Sequence, residues 1–394
     1  MTAETQTATR VRPPWWRNLR VLRAAAQVAA VVGALLVFLF LLLTVRTNLE
    51  AKGISTSFDF LTQPGAFTVA GSDLDRSEPI WRFIVFAGAK NTLLSMALGL
   101  PLTTLLGVTI GVARLSRNYL VRQAAAIYVE TLRNLPPLLV ILFTFFALLL
   151  PLPTIQQAST PFDLFVISNR EIAFPSLTNQ QHAGIFWLLV AVAVAVGAAV
   201  WLWRTAVFNR TGLPHHRVLW ALGLFGLIVA AGYLLLGNPI APSRPRLDGR
   251  VITGGFKMLA SYVTVTLALT VYTANHIAEI VRGSILAVSK GQTEASFAVG
   301  LSNFQRYRFV VLPQAARIAI PPMINQYLNF TKNTSLALAV GYAEVTFVIV
   351  TVIGNANPAP QSIAILMVVY LIFSLIISAI SNALNRRLQL ATKQ

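Results

Sequence analysis

Long apolar segments separated by short polar stretches dominate the pattern of this chain. Eight of these segments hold 18 or more mostly apolar residues, enough for a helix to cross a hydrocarbon core of about 30 Å. Lipid offers no partner to backbone N–H and C=O groups, so such segments must be helical, and the alternating pattern of a membrane barrel is absent. The pattern predicts an all-α integral membrane protein with about eight transmembrane helices. The segments lie near residues 24–44, 91–113, 127–150, 184–203, 218–236, 256–280, 318–345 and 360–384.

Composition supports this interpretation. Hydrophobic residues make up 56% of the 394 residues and charged residues only 11%, whereas soluble domains have about 25% charged residues. The net charge of +18 would suit a nucleic-acid-binding protein, but the cations form short clusters beside the apolar segments and no single basic face. Such clusters set the orientation of a membrane protein.

The positive-inside rule gives that orientation. Placing the N-terminus in the cytoplasm puts five arginines on the inside before the first helix, and it puts the acidic loop 46–80 outside. The C-terminus is then also cytoplasmic. The loop 237–255 disagrees with the rule, because it should lie outside yet carries three arginines against one aspartate.

The order of the apolar segments predicts a core of transmembrane helices in two parts, with a first helix and an insertion added to it. The first helix is interpreted as a retained anchor, because no small-residue cleavage site clearly follows it. The Pro-, Ser-, Asn- and Gln-rich loop 151–183 has little periodicity and separates two halves, and the two helices after it form an insertion. The predicted parts are a basic cytoplasmic tail (1–23), the first helix (24–45), a periplasmic loop (46–86), the first part of the core (87–150), the insertion (151–255), the second part of the core (256–385) and a cytoplasmic tail (386–394).

The most informative stretch, residues 290–313, lies on the predicted cytoplasmic side between the sixth and seventh helices. Residues 294–301 have the spacing of a short amphipathic helix, which Gly300 and the following Ser-Asn pair end. Leu312 and Pro313 are expected to open the next helix, since proline is tolerated in a first turn. By periodicity alone, an ordinary amphipathic connector explains the segment equally well.

The order of residues in this stretch resembles the EAA loop of ATP-binding-cassette (ABC) importer permeases. The family pattern is Glu-Ala-Ala, three residues, Gly, nine residues, Ile, one residue and Leu-Pro, and the spacing is intact here. Ser296 replaces the second Ala and Val310 replaces the Ile. The sequences GQTEASFAVGL, VVLPQAARIAIPP, TKNTSLALAVGYAE and ARLSRNYLVRQAAAIYVETLRNLPPLL also resemble the polar amino acid branch of the type I family. The positions that carry the match are Glu294, Ala295, Ser296, Gly300, Val310, Leu312 and Pro313.

This resemblance covers roughly residues 85–150 and 256–385. With its long first loop and two inserted helices, the chain is similar to the larger permease of the general L-amino acid (Aap/Bzt-type) importers. The resemblance implies a non-catalytic type I permease of the bacterial inner membrane that imports L-amino acids. It also implies a second homologous permease, two cytoplasmic ATPase subunits and a periplasmic amino-acid-binding protein as partners.

In that family the EAA loop docks in a groove of the ATPase. The resemblance therefore implies a coupling role for seven residues: Gly291, Gln292, Glu294, Ala295, Gly300, Leu312 and Pro313. The chain has no GxxxxGK[ST] phosphate loop, so ATP and Mg²⁺ would be bound by the partner and no cofactor by this chain.

Two carboxylate and guanidinium pairs repeat an i, i+3 spacing at the predicted cytoplasmic ends of the third and sixth helices: Glu130 with Arg133, and Glu279 with Arg282. Such pairs form within one helix, and ionisable groups at membrane edges usually pair. A structural role is the simpler interpretation. The alternative is an inward gate whose pairs break as the subunits move.

The seventh predicted helix carries a polar run that must face protein or water. Pro321 and Pro322 lack N–H groups, so a break or kink is expected there, and broken helices can bind zwitterions. Lys332 would meet a substrate carboxylate, or else snorkel or pair with Glu344. In similar permeases that carry cationic amino acids the position matching Gln326 is often Glu, so the resemblance implies that a neutral Gln326 does not select cationic substrates. The candidate pathway residues are Gln326, Asn329, Lys332, Asn333, Thr334, Ser335 and Glu344.

Two other classes of protein compete with this interpretation. An ion-coupled secondary amino acid transporter also uses polar, broken helices, but its acids usually lie near the membrane midplane. A membrane enzyme would need a nucleophile, metal cluster or paired carboxylates inside the helices, and the sequence shows none. The four histidines form no metal site, and His276 is expected to be a solvated loop residue.

Overall fold

The computed structural model describes residues 19–51, 53, 57–212, 216–355 and 357–390. Most of the predicted basic tail and the last four residues lie outside the described residues. The described part is mostly helical, as predicted. Its α-helices are α1 (Leu19–Ala51), α2 (Ile80–Arg82), α3 (Lys90–Ala113), α4 (Tyr119–Arg133), α5 (Pro137–Phe143), α6 (Ala183–Thr211), α7 (Arg217–Leu235), α8 (Ala260–Leu286), α9 (Lys290–Ala298), α10 (Asn303–Arg306), α11 (Leu312–Asn333), α12 (Val345–Gly354) and α13 (Ala359–Leu390).

The count of membrane-spanning helices agrees with the sequence. Among the described residues, five helices are long and apolar enough to cross a membrane, and two bent helix pairs raise the number to seven. The 27 residues of α8 extend about 40 Å at 1.5 Å per residue, which is also long enough to cross. About eight spanning helices are therefore consistent with the structure.

The predicted start of the third helix is wrong. The helical stretch Tyr119–Arg133 meets the stretch Pro137–Leu149 at an angle of 108°, so residues 127–150 are not one straight helix. The Asn118 side chain accepts hydrogen bonds from the first turn of α4 and starts that helix. Pro136 and Pro137 end it, because proline lacks an N–H and disfavours helical geometry in the residue before it.

The core of the protein is built around α8, which packs along α3 and also contacts α11. The backbones of α3 and α8 come close at Gly107, where an added Cβ would lie 2.6 Å from Ile277. Ile277 is fully buried, and it belongs to one buried cluster with Met323 of α11. By contrast, α6 and α7 pack mainly against each other, as an inserted hairpin.

Short strands in two loops were not predicted. They are β1 (Val166–Ile167), β2 (Glu171–Phe174), β3 (Ser176–Asn179), β4 (Ile240–Ser243), β5 (Arg246–Asp248), β6 (Val251–Thr253) and β7 (Phe256–Leu259). All pairings are antiparallel: β1 with β2, β2 with β7, β3 with β4, and β5 with β6. The ladders join residues 166–179 to residues 240–259, so these two loops lie on the same side of the membrane.

The seventh predicted helix is interrupted, but not at the prolines. Helix α11 runs through Pro321 and Pro322 without a break, so the expected interruption there is wrong. A 3₁₀ turn (Thr334–Val340) follows α11, and Gly341 then adopts a φ of +70°. The chain bends by 49° before α12.

Candidate functional site

The predicted short helix of the coupling segment is present as α9, at the end of α8 opposite to the strands. Gly300 has a φ of +76°, which glycine adopts without strain, and the chain turns there. The Ser302 side chain and the Gln305 side chain then form a reciprocal capping box that starts α10. The two short helices therefore form one compact turn.

The outer surface of this turn is apolar and exposed. Phe297, Val299 and Phe304 are all exposed, and Val299 is 74% exposed. The guanidinium of Arg306 lies 4.5 Å from the centre of the Phe297 ring and orders it. The Gln314 side chain donates to Gln292 at 3.2 Å and ties α9 to α11. A fixed, exposed apolar surface of this kind suits contact with another protein.

Leu312 and Pro313 are the first two residues of α11, as the sequence predicts, but no loop separates α11 from the helical segments before it. The helix begins at Asn303 and passes through a π-helical turn, Tyr307–Val311, before Leu312. The π-helical turn shifts the hydrogen-bond register just before Pro313, whose nitrogen has no hydrogen to donate. The continuous helical stretch therefore begins nine residues before Leu312, and both residues lie at the base of the coupling segment.

The two predicted ion pairs are present, and a residue that the sequence did not link to them joins them. Glu130 lies 3.7 Å from Arg133, and Glu279 lies 2.5 Å from Arg282. Arg114, at the end of α3, contacts Glu279 and lies 3.6 Å from Glu130. One network therefore connects the ends of α3, α4 and α8. Arg114 is only 14% exposed, whereas Glu130 and Arg133 are about half exposed, so solvent weakens the contacts of Glu130 more than the contact between Arg114 and Glu279.

A polar cavity of about 320 Å³ lies between α5, α8 and α11. It brings three predicted pathway residues together, Gln326, Asn329 and Asn333, because their spacing places them on one face of α11. The other lining residues are Pro137, Tyr272, Thr273 and His276. A cavity with several side-chain amides and an imidazole can bind both hydrogen-bond donors and acceptors.

The other predicted pathway residues lie elsewhere. Glu344 and Thr334 are fully buried, and the Glu344 carboxylate caps α12, so the prediction that these two face the pathway is wrong. Ser335 donates to the Lys332 backbone carbonyl. Lys332 is exposed, and within the described part of the chain it forms no ion pair, so its expected pairing with Glu344 is also wrong.

Comparison with known proteins decides the family. A family model described as "Binding-protein-dependent transport system inner membrane component" matches residues 218–390. YhdX of Escherichia coli K12 is 38% identical over 375 residues, covering 93% of this chain and 94% of that one. The chain belongs to the amino-acid ABC transporter permeases. It is a non-catalytic, multi-pass inner-membrane subunit of an L-amino acid importer.

Two further relatives support membership of the amino-acid ABC transporter permeases. The chain is 35% identical to the general L-amino acid transport system permease protein AapQ of Rhizobium johnstonii, covering 88% of this chain and 87% of that one. It is also 35% identical to the glutamate/glutamine/aspartate/asparagine transport system permease protein BztB of Rhodobacter capsulatus, covering 89% of this chain and 90% of that one. Matches of this extent include more than half of the insertion.

In this amino-acid ABC transporter permease, sequence reasoning missed the contribution of α8 to the cavity. The prediction that His276 is a solvated loop residue is wrong, because it lies in α8 with its ring 5.2 Å from that of Tyr272. The buried hydroxyl of Thr273 has no hydrogen-bond partner among the described residues. The available signal was the i, i+4 spacing of Tyr272 and His276 with Thr273 between them, in a helix otherwise rich in apolar residues.

Proposed function

We propose that this permease pairs with a second homologous permease, and that the two together form the pathway for L-amino acids. One of two cytoplasmic ATPase subunits docks on the turn formed by α9 and α10. The observation that carries the proposal is the exposed apolar surface of Phe297, Val299 and Phe304, held rigid at one end of α8. A rigid element can transmit closure of the ATPases to the spanning helices as movement of whole segments.

The orientation follows from this docking. If α9 faces the ATPases in the cytoplasm, then β7, at the opposite end of α8, faces the periplasmic binding protein. The paired strands place the loops 151–182 and 237–259 on that outer side too. The termini are then cytoplasmic. ATP and Mg²⁺ are bound by the ATPase subunits, and this chain contributes movement and no cofactor.

The cavity between α5, α8 and α11 is the part of the pathway that this subunit supplies. Its lining offers amide and imidazole groups for the ammonium and carboxylate that all amino acids share. Gln326 contributes no charge, which suits general L-amino acid transport of the kind for which AapQ is named. Lys332 is exposed and lies about one turn after Asn329, farther from the coupling segment. The carboxylate of an incoming amino acid would meet its ammonium group there.

The ion network around Arg114 closes the cytoplasmic end of this pathway. Its three helix ends are held together by two carboxylates that share one guanidinium. Separation of α4 from α8 would break the contact with Glu130 first, since at 3.6 Å it is the longer of the two. The network therefore acts as a cytoplasmic gate that closure of the ATPases favours and that their separation opens.

Charge reversal at Glu294 tests the docking. Glu294 is exposed on α9, so Glu294→Lys should disturb the ATPase contact and leave the cavity intact. A like-charge contact at an interface costs on the order of several kcal/mol, so transport should collapse while the two permeases still assemble. Arg117→Glu, an equally large charge change on an exposed residue of the same side, is the control and should transport normally.

Cross-linking gives a second, independent test, because the chain has no native cysteine. Val299→Cys is the better position than Ser302→Cys, since Ser302 caps α10 and Val299 makes no such contact. Val299→Cys should bond to cysteines placed in the ATPase groove. Normal transport by Glu294→Lys, together with cross-links from residue 299 only to membrane subunits, would show that this turn is a plain connector.

A further inference from the structure

The loop that disagrees with the positive-inside rule forms an ordered basic cleft. Arg244 follows β4 and Arg246 begins β5, and both side chains are exposed. Within the described residues, neither guanidinium has an ion pair or a hydrogen-bond partner. The third arginine of the loop, Arg250, lies at the turn between β5 and β6. Two unpaired positive charges are thus available to an external partner.

The cleft has fixed walls. It encloses about 490 Å³ and is lined by Pro242, Ser243, Arg244, Arg246, Thr253 and Gly254. The Ser243 hydroxyl accepts a hydrogen bond of 3.0 Å from the Gly255 backbone. Gly254 has a φ of +68°, and a Cβ there would lie 2.7 Å from the Arg244 carbonyl, so only glycine fits this side. Pairing of β3 with β4 anchors the cleft to the loop before α6.

The position of these charges is unfavourable for membrane insertion, because arginines in short loops favour the cytoplasmic side. The first outer loop, by comparison, carries five acids against three cations in residues 46–80. One of these acids, Asp75, accepts hydrogen bonds from the backbone N–H and the hydroxyl of Ser77. These hydrogen bonds lower the pKa of Asp75 and keep its carboxylate charged. The outer face is therefore acidic in one loop and basic in another, which can orient a charged partner.

We propose that the cleft of Arg244 and Arg246 receives an acidic surface of the binding protein and steers its docking. This inference rests on the proposed function, which places the strands outside. The family is described as binding-protein-dependent, so a protein partner reaches this face. Exposed guanidinium groups with no buried polar partner suit the rim of a protein interface, where charges raise association rates. The inserted helices α6 and α7 serve to hold this cleft at the membrane.

The test uses the complete importer in lipid nanodiscs with its own binding protein. The measurement is the concentration of loaded binding protein that gives half-maximal stimulation of ATP hydrolysis. The double variant Arg244→Glu/Arg246→Glu should raise that concentration on the order of tenfold at low salt and much less at about 0.5 M salt, where exposed charges are screened. The maximal rate should not change, because the cleft is remote from the cavity and from α9.

A matched control distinguishes an effect of the cleft from a general effect of surface charge. Arg76→Glu makes the same change as Arg244→Glu, on an exposed residue of the first outer loop, and it should leave the half-maximal concentration unchanged. Exchanging acidic residues of the binding protein for lysine should restore docking to the double variant. Equal effects of Arg76→Glu and Arg244→Glu, or no effect of the double variant at low salt, would overturn the proposal.

Two further outcomes identify other causes. If the difference between the wild type and the double variant disappears when anionic lipid is removed from the nanodisc, the occupant is a lipid surface and the proposal is wrong. If the wild-type complex does not respond to loaded binding protein at any concentration, the proposed function itself fails. A normal maximal rate with an unchanged half-maximal concentration contradicts only the cleft.

Discussion

Tyr370 of α13 donates a hydrogen bond of 2.8 Å to the carboxylate of Glu344, which is fully buried. The same carboxylate accepts from the Phe347 backbone N–H at 3.0 Å and caps α12. Glu344 forms no ion pair among the described residues, so neutral donors from two helices stabilise it. A buried carboxylate that depends on such donors is costly to leave unsatisfied.

Removing the Tyr370 donor should therefore destabilise the protein. Tyr370→Phe keeps the ring and deletes the hydroxyl, so one oxygen of Glu344 loses a partner, at a cost of about 1 to 3 kcal/mol. We expect a lower unfolding temperature of the purified complex. Tyr119→Phe removes a hydroxyl from an exposed ring and serves as the control. Equal unfolding temperatures for the two variants would contradict the assigned role of Tyr370.

Charge in the cavity should set selectivity. Gln326→Glu places a carboxylate among the lining residues, which lowers the energy of a nearby ammonium or guanidinium group. Uptake of cationic amino acids should rise relative to that of neutral and acidic ones. Asn325→Asp adds the same charge at an exposed neighbour that does not line the cavity, and its uptake ratio should stay constant. An unchanged ratio for Gln326→Glu at normal expression would remove Gln326 from the pathway.

The backbone at Gly300 should matter more than its size. Nothing lies within 4 Å of a Cβ added there, but a φ of +76° strains any β-branched residue by about 1 to 3 kcal/mol. Gly300→Val should therefore reduce retention of ATPase subunits in a pull-down and lower transport. Gly283→Ala also adds a methyl in open space, but in a position inside α8 that alanine favours and that lies outside the coupling segment. It should bind the ATPase at least as well as the wild type does.

Strand pairing makes a topological prediction. Peptide tags after Gln157 and at Gly249, in the turn between β5 and β6, should both be accessible to antibody in intact spheroplasts. Antiparallel ladders join the two loops, so the tags must give the same answer whichever way the protein is oriented. One accessible and one protected tag would contradict the ladders, and two protected tags would reverse the proposed orientation.

What the sequence could predict was mainly local. The long helices follow from apolar runs, and α9 follows from spacing and from the glycine that ends it. The pairs Glu130 with Arg133 and Glu279 with Arg282 lie one helical turn apart, so they too could be read from spacing. Features of this kind depend on residues that are close together in the sequence, so the sequence pattern alone predicts them.

What the sequence could not predict depends on distant residues. Arg114 contacts Glu279 across 165 positions of the chain, and no local pattern marks either one as the partner of the other. Strands β3 and β4 are short and lie in loops separated by α6 and α7, so each lacks the length that identifies a strand. Glu344 was expected to pair with Lys332 or to face the pathway, whereas its carboxylate contacts Tyr370 of a distant helix, which no local pattern shows.

The ladder of β2 and β7 brings Glu171 opposite Leu259, on either side of the inserted segment. The chain therefore leaves the core and returns to it at one place. The two ends of the inserted segment lie next to each other. Segments with this property can be inserted or deleted without redirecting the chain on either side. The α6 and α7 hairpin with its strands could thus be gained or lost in a single genetic event, leaving the route of α3, α8 and α11 unchanged.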